Sequence, residues 1–124
     1  MNFTEGLPIY VQIAGRLCDE ILCGHYPPES RVPSTREYSA LLGVNVNTVV
    51  KSYDLLSQRG VLYNKRGLGC FVATDAPERI MAQRKADFLE KHLAETAREM
   101  TVLGISLDEL NQHIKQYLHQ HETL

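Results

Sequence analysis

The sequence predicts a mainly α-helical protein with one small β-hairpin. Two observations carry this prediction. Apolar residues recur every three or four positions in several segments, and one pair of short β-prone runs flanks a glycine-rich turn. Hydrophobic residues make up 44% of the 124-residue sequence, which is enough for one modest core.

The first predicted helix runs from Pro8 to Cys23. Proline is favoured at a first helical position, because the N–H that it lacks would be unpaired there anyway. Gly24 follows the helix as a stop signal. An apolar stripe with a spacing of four residues lies along the helix, at Ile9, Ile13, Leu17 and Ile21.

Two further helices are predicted close together in the middle of the chain. In "PSTREYSALLG", Ser34 can cap a helix, Glu37 can complete a capping box, and Gly43 ends the helix. In "VNVNTVVKSYDLLSQRG", Asn45 is the cap and Gly60 the stop. Only a few residues separate the two helices, which is the spacing of a helix-turn-helix. The inner face of the first is expected at Tyr38, Leu41 and Leu42.

A β-hairpin is predicted directly after this helix pair. The runs Val61–Tyr63 and Cys70–Val72 are β-prone, and the turn "NKRGLG" between them supplies two glycines. A hairpin behind a helix pair is the layout of a winged helix-turn-helix, which we therefore predict for residues 1–75.

Residues 76–124 are predicted to form a two-helix C-terminal dimerisation segment. Pro77 can open the first helix and Gly104 breaks it, while "SLDE" at Ser106–Glu109 is a second capping box that opens the last helix. The apolar residues of these helices have no domain of their own to cover them, so we expect a symmetric homodimer. The expected interface residues are Met81, Phe88, Leu89, Leu93, Leu110, Ile114 and Leu118.

The formal net charge is −2, but basic residues are concentrated in the middle of the chain. Six basic residues and two acidic ones lie between Arg31 and Arg66. A local positive patch can attract phosphates even on a slightly acidic chain. Charge runs are usually solvated faces, however, so the patch needs support from individual residues.

The second helix of the pair carries the residue types that a DNA-reading helix needs. Short polar side chains at its start can reach base edges, since Asn pairs with adenine and Thr can bond a base or pack on a thymine methyl. Asn45, Asn47 and Thr48 stand there, and Lys51 follows on the phosphate side. The plainer alternatives are a cap role for Asn45 and a surface role for Asn47.

Three more cations are candidates for DNA contact. Arg36 lies in the first turn of the preceding helix, and Lys65 and Arg66 crown the hairpin, where a basic tip can enter the minor groove or clamp the backbone. Alternatively, Arg36 pairs with Glu37 or another carboxylate, and the hairpin charges only keep the tip soluble.

Residues 7–74 resemble the DNA-binding domain of the GntR family, through "PSTRE", "LGVNVNTVVKSY", "LSQRGVLY" and "KRGLGCFV". The tail, with "GISLDEL", is similar to the small YtrA-type subfamily, whose two C-terminal helices serve dimerisation. Val46 and Cys70 depart from the family pattern, which commonly has proline and threonine there. The resemblance implies DNA contact by Arg36, Asn45, Asn47, Thr48, Lys51, Gly67 and Gly69.

The sequence also bears on three other classes of function. The sequence has no P-loop, no GxSxG, no dinucleotide fingerprint and no paired His–carboxylate motif, so we do not expect an enzyme. A protein-interaction module without specific DNA binding would need an apolar recognition face. A metabolite sensor would need a cavity that two helices cannot enclose, although a pocket shared between subunits leaves an unknown small-molecule effector open.

Cofactors and metals are not expected. Cys18, Cys23 and Cys70 have no metal-ligand spacing. The histidines near the end of the chain could bind a metal as a cluster, but no cysteine or strong carboxylate set accompanies them at ligand spacing, so we interpret them as solvated; they are His113, His119 and His121. No apolar run could span a membrane and residues 1–8 do not resemble a signal peptide, so a cytoplasmic location is expected. The prediction is a dimeric repressor on a palindromic operator in double-stranded DNA, and the resemblance suggests a transporter or related operon.

Overall fold

The computed structural model describes residues 6–122, so the signal-peptide expectation for residues 1–8 lies largely outside the described residues. The mainly helical fold with one hairpin and C-terminal helices is confirmed. No helix within the described residues is long and apolar enough to cross a membrane. The elements are α1 (Ile9–Leu22), α2 (Thr35–Leu42), α3 (Val46–Gln58), β1 (Leu62–Lys65), β2 (Gly69–Val72), α4 (Ala76–Asp87), a π-helical turn (Phe88–His92), α5 (Leu93–Leu103) and α6 (Leu107–His121).

The chain divides into two compact units, Met1–Gln83 and Arg84–Leu124. The division falls inside α4. Ala76 and Ile80, in the first turns of that helix, are buried in the core of the first unit. The first unit therefore includes the start of a helix that the sequence alone would assign wholly to the tail.

The core of the first unit lies where α1, α2, α3 and the hairpin meet. The predicted stripe of α1 is buried at Ile13, Leu17 and Ile21, whereas Ile9 is exposed. A buried serine joins α1 to α3, because Oγ of Ser52 donates to the carbonyl oxygen of Tyr10 at 2.7 Å. Full burial of a large aliphatic side chain contributes about 1.5–3 kcal/mol, so these residues anchor the unit.

The ends of α2 and α3 follow the local signals in the sequence. Both hydrogen bonds of the capping box form between Ser34 and Glu37, and Gly43 ends α2 with a left-handed φ of +69°. Oδ1 of Asn45 accepts a hydrogen bond from the N–H of Asn47 at 2.8 Å, which caps α3. These caps hold the short connection of the helix pair.

The expected inner face of α2 is wrong at one position. Tyr38 and Leu42 are buried, but Leu41 is 68% exposed. Residues four apart lie one above the other on a helix, whereas Leu41 is turned about 100° from Leu42. A helix as short as α2 therefore buries a single narrow line of side chains rather than a broad face.

The hairpin pairs Leu62 with Val72 at its base and Lys65 with Gly69 at its tip. Lys65 is thus the last strand residue rather than part of the turn. The segment before α2 adds to this sheet through an antiparallel bridge between Arg31 and Phe71. The N–H of Val32 donates to the carbonyl of Cys70 at 3.0 Å, so the segment before α2 is hydrogen-bonded directly to the hairpin, which is the wing of the fold.

The second unit contains the end of α4, the π-helical turn, α5 and α6. Gly104 ends α5 with a φ of +68°, and the side chain of Ser106 caps α6 by accepting from the N–H of Glu109. None of the described residues from Arg84 to Glu122 is buried. This unit has no enclosed core of its own in a single chain.

Candidate nucleic-acid interface

One face of α3 is turned to solvent. Its buried residues are Val49, Ser52, Tyr53 and Leu56, which recur with helical spacing and face the core. The opposite face presents Asn47, Val50 and Lys51, all exposed, while Thr48 is half-buried at the edge. Three of the predicted DNA-contacting residues thus lie at the start of one helix, with two of them fully on its free face.

Asn45 precedes this face, and its side chain is exposed. Its Oδ1 is used by the cap of α3, so the cap role considered for it is present. The amide nitrogen of an asparagine has two donors of its own, and capping by the oxygen leaves those donors chemically available. Capping and contact with an anion are therefore compatible at this residue.

Arg36 projects from the first turn of α2 and is exposed. The alternative pairing of Arg36 with Glu37 does not form. Oε1 of Glu37 accepts from the N–H of Ser34 at 3.1 Å and lies 3.8 Å from Nη2 of Arg31. The hydrogen bonds from Ser34 hold the pKa of the Glu37 carboxyl below its ordinary value, so the group stays ionised.

The hairpin tip carries the two predicted cations in different settings. Nζ of Lys65 lies 4.4 Å from the ring centroid of Phe71 and 5.7 Å from that of Tyr63, so the ammonium leans on the aromatic face of the hairpin. Arg66 lies in the turn and is exposed. Gly67 and Gly69 have φ values of +77° and +116°, which favour glycine at both positions.

An open groove of about 440 Å³ lies between the start of α2, the solvent face of α3 and the hairpin. Its charged lining residues are the cations Arg31, Lys65 and Arg66 and a single carboxylate, that of Asp54. Burial raises the pKa of the Cys70 thiol, which also lines the groove, so the thiol adds no negative charge at neutral pH. The groove is therefore a cationic channel beside the free face of α3.

Two residues of this surface were missed by the sequence reasoning. Arg31 counted only toward the charge of the middle segment, and its place beside the hairpin comes from a long-range β-bridge. Val50 is an apolar residue exposed three positions after Asn47, and it lines the groove. Helical spacing from Asn47 would have placed Val50 on the same face.

The predicted interface residues of the tail are accessible. Six of them are between 42% and 60% exposed, and Leu110 is half-buried. No contact among residues 6–122 of one chain buries them fully. The six are Met81, Phe88, Leu89, Leu93, Ile114 and Leu118.

Metal ligands are not clustered in the part of the chain that the structure describes. Residues 6–122 bring no three His, Cys, Asp or Glu side chains together in a group that could hold a metal ion. The free cysteines are dispersed, with Cys18 buried, Cys23 exposed and Cys70 between these extremes.

Comparison with known proteins identifies the family. The model of the family described as "Bacterial regulatory proteins, gntR family" matches residues 9–72, which is more than half of the chain. The HTH-type transcriptional repressor YtrA of Bacillus subtilis is 28% identical over 109 residues, covering 88% of this chain and 83% of that protein.

Solved structures agree in fold. A GntR-family transcriptional regulator structure from Bacteroides thetaiotaomicron has a TM-score of 0.80 at 42% identity, covering 91% of this chain and 98% of that one. The DNA-binding domain of AraR in complex with operator ORR3 has a TM-score of 0.53 at 30% identity, covering 59% of this chain and 88% of that one.

These matches confirm the fold that the sequence predicts. They also confirm the prediction that the protein is a DNA-binding transcription regulator rather than an enzyme. The chain belongs to the GntR family of bacterial regulatory proteins.

Proposed function

We propose that the chain is a homodimeric repressor that binds a palindromic operator, with residues 1–75 binding DNA and residues 76–124 forming the dimer. One observation carries the DNA-binding half of this proposal. Arg36 in the first turn of α2, Lys51 on α3 and Arg66 in the hairpin turn are exposed, and none of them has an ion-pair partner among residues 6–122. Unpaired cations on elements next to a polar helix face suit a polyanion.

In this proposal α3 enters the major groove and reads bases. Asn47 and Thr48 contact base edges, because they are short and stand at the start of the helix. Lys51 and Asn45 contact phosphates on either side of that helix. A protein-interaction module is disfavoured, since the free face of α3 is mostly polar.

The hairpin and the start of α2 position the protein on the backbone. Lys65 and Arg66 lie at the tip and are long enough to reach phosphates or the minor groove. Gly67 and Gly69 let the backbone approach the DNA closely. Arg36 has a mixed role, since it lies at the junction of the two helices and can reach either a phosphate or a base.

The second unit supplies the argument for a dimer. None of its described residues is buried in a single chain, yet it carries large apolar side chains that are between 42% exposed, at Ile114, and 85% exposed, at Val102. A second copy would cover them, with a gain of about 25 cal/mol for each Å² of apolar surface removed from water. Two-fold symmetry would then place the two α3 helices in successive major grooves, about one helical turn apart.

Repression is supported by the relative YtrA, which is named as a repressor. Control of a transporter or related operon is proposed from the subfamily resemblance, and an unknown small-molecule effector would bind where subunits meet. A regulator of this kind works where the chromosome is, and we therefore propose a cytoplasmic location.

Selection from a pool of randomised DNA duplexes tests the proposal without a known operator. We expect enrichment of one inverted repeat with half-site centres roughly 10 bp or a multiple apart. Light scattering at micromolar concentration should give the mass of two chains. A pool that stays random would contradict specific binding, and a monomeric mass would contradict the dimer.

A further inference from the structure

The side chain of Arg31 lies over the hairpin at Gly69, and its guanidinium also lies near Glu37 at the start of α2. A Cβ built on Gly69 would be 2.8 Å from Nε of Arg31 and 3.6 Å from its Cδ and Cζ. The Arg31 backbone is held beside β2 by the bridge to Phe71 and by the N–H of Val72, which donates to the Ser30 carbonyl at 2.9 Å. The guanidinium therefore starts from a rigid base and reaches the tip of the hairpin.

This position puts three cations on one groove. Arg31, Lys65 and Arg66 all line the space between the hairpin and the solvent face of α3. Lys65 is paired with Gly69 in the hairpin register, so Arg31 and Lys65 flank the same glycine. Asp54 is the opposing charge, and it projects from α3 on the far wall. An anion is thus favoured on the hairpin side of the groove.

We propose that Arg31, together with Arg66, forms a binding site for one backbone phosphate of the operator in this groove. The inference rests on the DNA binding proposed above and assigns a new residue to it. A guanidinium suits this task, because its planar fork binds two phosphate oxygens at once. The ammonium of Lys65 lies over the ring of Phe71, so in this proposal Lys65 adds to the positive potential of the groove without binding the phosphate directly.

The present partner of Arg31 does not prevent this role. Nη2 of Arg31 is 3.8 Å from Oε1 of Glu37, and both side chains are more than half exposed. Exposed pairs of this kind contribute little to stability, and Glu37 keeps its hydrogen bonds to Ser34 without the arginine. A phosphate can therefore replace the carboxylate at small cost.

Arg79 in the same unit is a matched control that tests whether Arg31 has only a structural role. Arg79 also lies over a glycine, with a Cβ on Gly60 placed 2.9 Å from its Nη1, and it also pairs with a carboxylate, that of Asp75. Its side chain is 51% exposed, against 56% for Arg31. Arg79 does not line the groove. The same truncation at both positions thus separates support of the fold from contact with DNA.

The test compares Arg31→Ala, Arg79→Ala and Arg31→Lys with the wild-type full chain. Anisotropy titrations use the selected duplex and a scrambled duplex at several salt concentrations. We expect Arg31→Ala to weaken binding to both duplexes and to reduce the slope of log affinity against log salt by about 0.9, the value for one phosphate. Arg79→Ala should leave the slope unchanged, and Arg31→Lys should restore most of it.

Methylphosphonate substitution in the duplex gives a second measurement that does not depend on the stability of a variant. Neutralising the bound phosphate should weaken wild-type binding, and the same substitution should weaken Arg31→Ala by a smaller factor, because only Arg66 still contacts that phosphate. An unchanged salt slope in a folded Arg31→Ala variant, or additive losses with every methylphosphonate, would overturn the site. If the wild type itself does not prefer the selected duplex, the proposed function fails instead.

Discussion

Arg31 and Gly69 are 38 positions apart in the sequence, yet the arginine side chain occupies the space that a Cβ of the glycine would take, with Nε 2.8 Å from that point. The glycine also has a φ of +116°, which other residues rarely adopt. The need for glycine at this place in the wing thus has a cause inside the protein, in addition to any close approach of DNA.

The first prediction compares Gly69→Ala with Gly67→Ala. Both glycines have positive φ, so each substitution should lower stability through backbone strain of about 1–3 kcal/mol. Only Gly69→Ala should also displace Arg31, because a Cβ at Gly67 meets nothing within 4 Å. Thermal melting measures the first effect, and the salt slope of DNA binding the second. Equal slopes in the two variants would show that Gly69 does not serve Arg31.

A second prediction separates base reading from phosphate binding on α3. Asn47→Ala should cost roughly 1–3 kcal/mol on the selected duplex and little on scrambled DNA. Lys51→Ala should weaken both and reduce the salt slope by about 0.9. Both side chains are exposed, so neither change should alter folding. If Asn47→Ala has no effect on binding while Lys65→Ala or Arg66→Ala alters the sequence preference, the hairpin rather than α3 reads the bases.

Asn45 allows its cap role and its proposed phosphate contact to be measured apart. Asn45→Ala removes the oxygen that accepts from the N–H of Asn47, and should lower the free energy of unfolding by about 0.5–2 kcal/mol. Asn45→Asp keeps a capping oxygen, so urea denaturation should show near wild-type stability. The new carboxylate should nevertheless weaken DNA binding. If Asn45→Asp binds as tightly as the wild type, Asn45 is only a cap.

The dimer prediction is tested on α6. Ile114 is 42% exposed in one chain and belongs to the expected interface, so Ile114→Asp would place a charge between the subunits at a cost of several kcal/mol. We expect a monomer by light scattering at micromolar concentration and weaker operator binding. Gln112→Asp adds the same charge to an exposed polar position of the same helix and should stay dimeric. If both variants are dimers, Ile114 does not lie in the dimer interface.

The last prediction concerns pH. The hydroxyls of Thr74 and Tyr63 both donate to the carboxylate of Glu29, and these bonds lower the pKa of Glu29 below its ordinary 4.5. The carboxylate therefore stabilises the fold fully above pH 4.5, and this contribution is lost as the pH falls through the lower folded pKa. Glu29→Gln should melt below the wild type at neutral pH.

Melting of both proteins as a function of pH checks this. The difference between Glu29→Gln and the wild type should shrink as the solution is acidified, because the wild-type group then becomes neutral too. A difference that stays constant down to full protonation of Glu29 would show that its charge is not what matters at this position.

The sequence predictions agree with the structure where a feature depends only on residues that are close together in the chain. The caps by Ser34, Asn45 and Ser106 each join residues two or three positions apart, and the left-handed ends at Gly43 and Gly104 need only the absence of a Cβ. Such signals act within one turn of chain. They were sufficient to place the helix pair, the last helix and the hairpin in the right order.

Tertiary packing decided the contacts between residues that are distant in the sequence. Arg31 reaches Gly69 and bridges Phe71, Lys65 turns onto the ring of Phe71, and Leu41 stays outside the core. Each of these depends on how separate elements meet in space, which no spacing along the chain reports. The sequence by itself therefore determined the elements and the polar face of α3. The cationic groove beside that face exists only because tertiary contacts bring the approach to α2 against the wing.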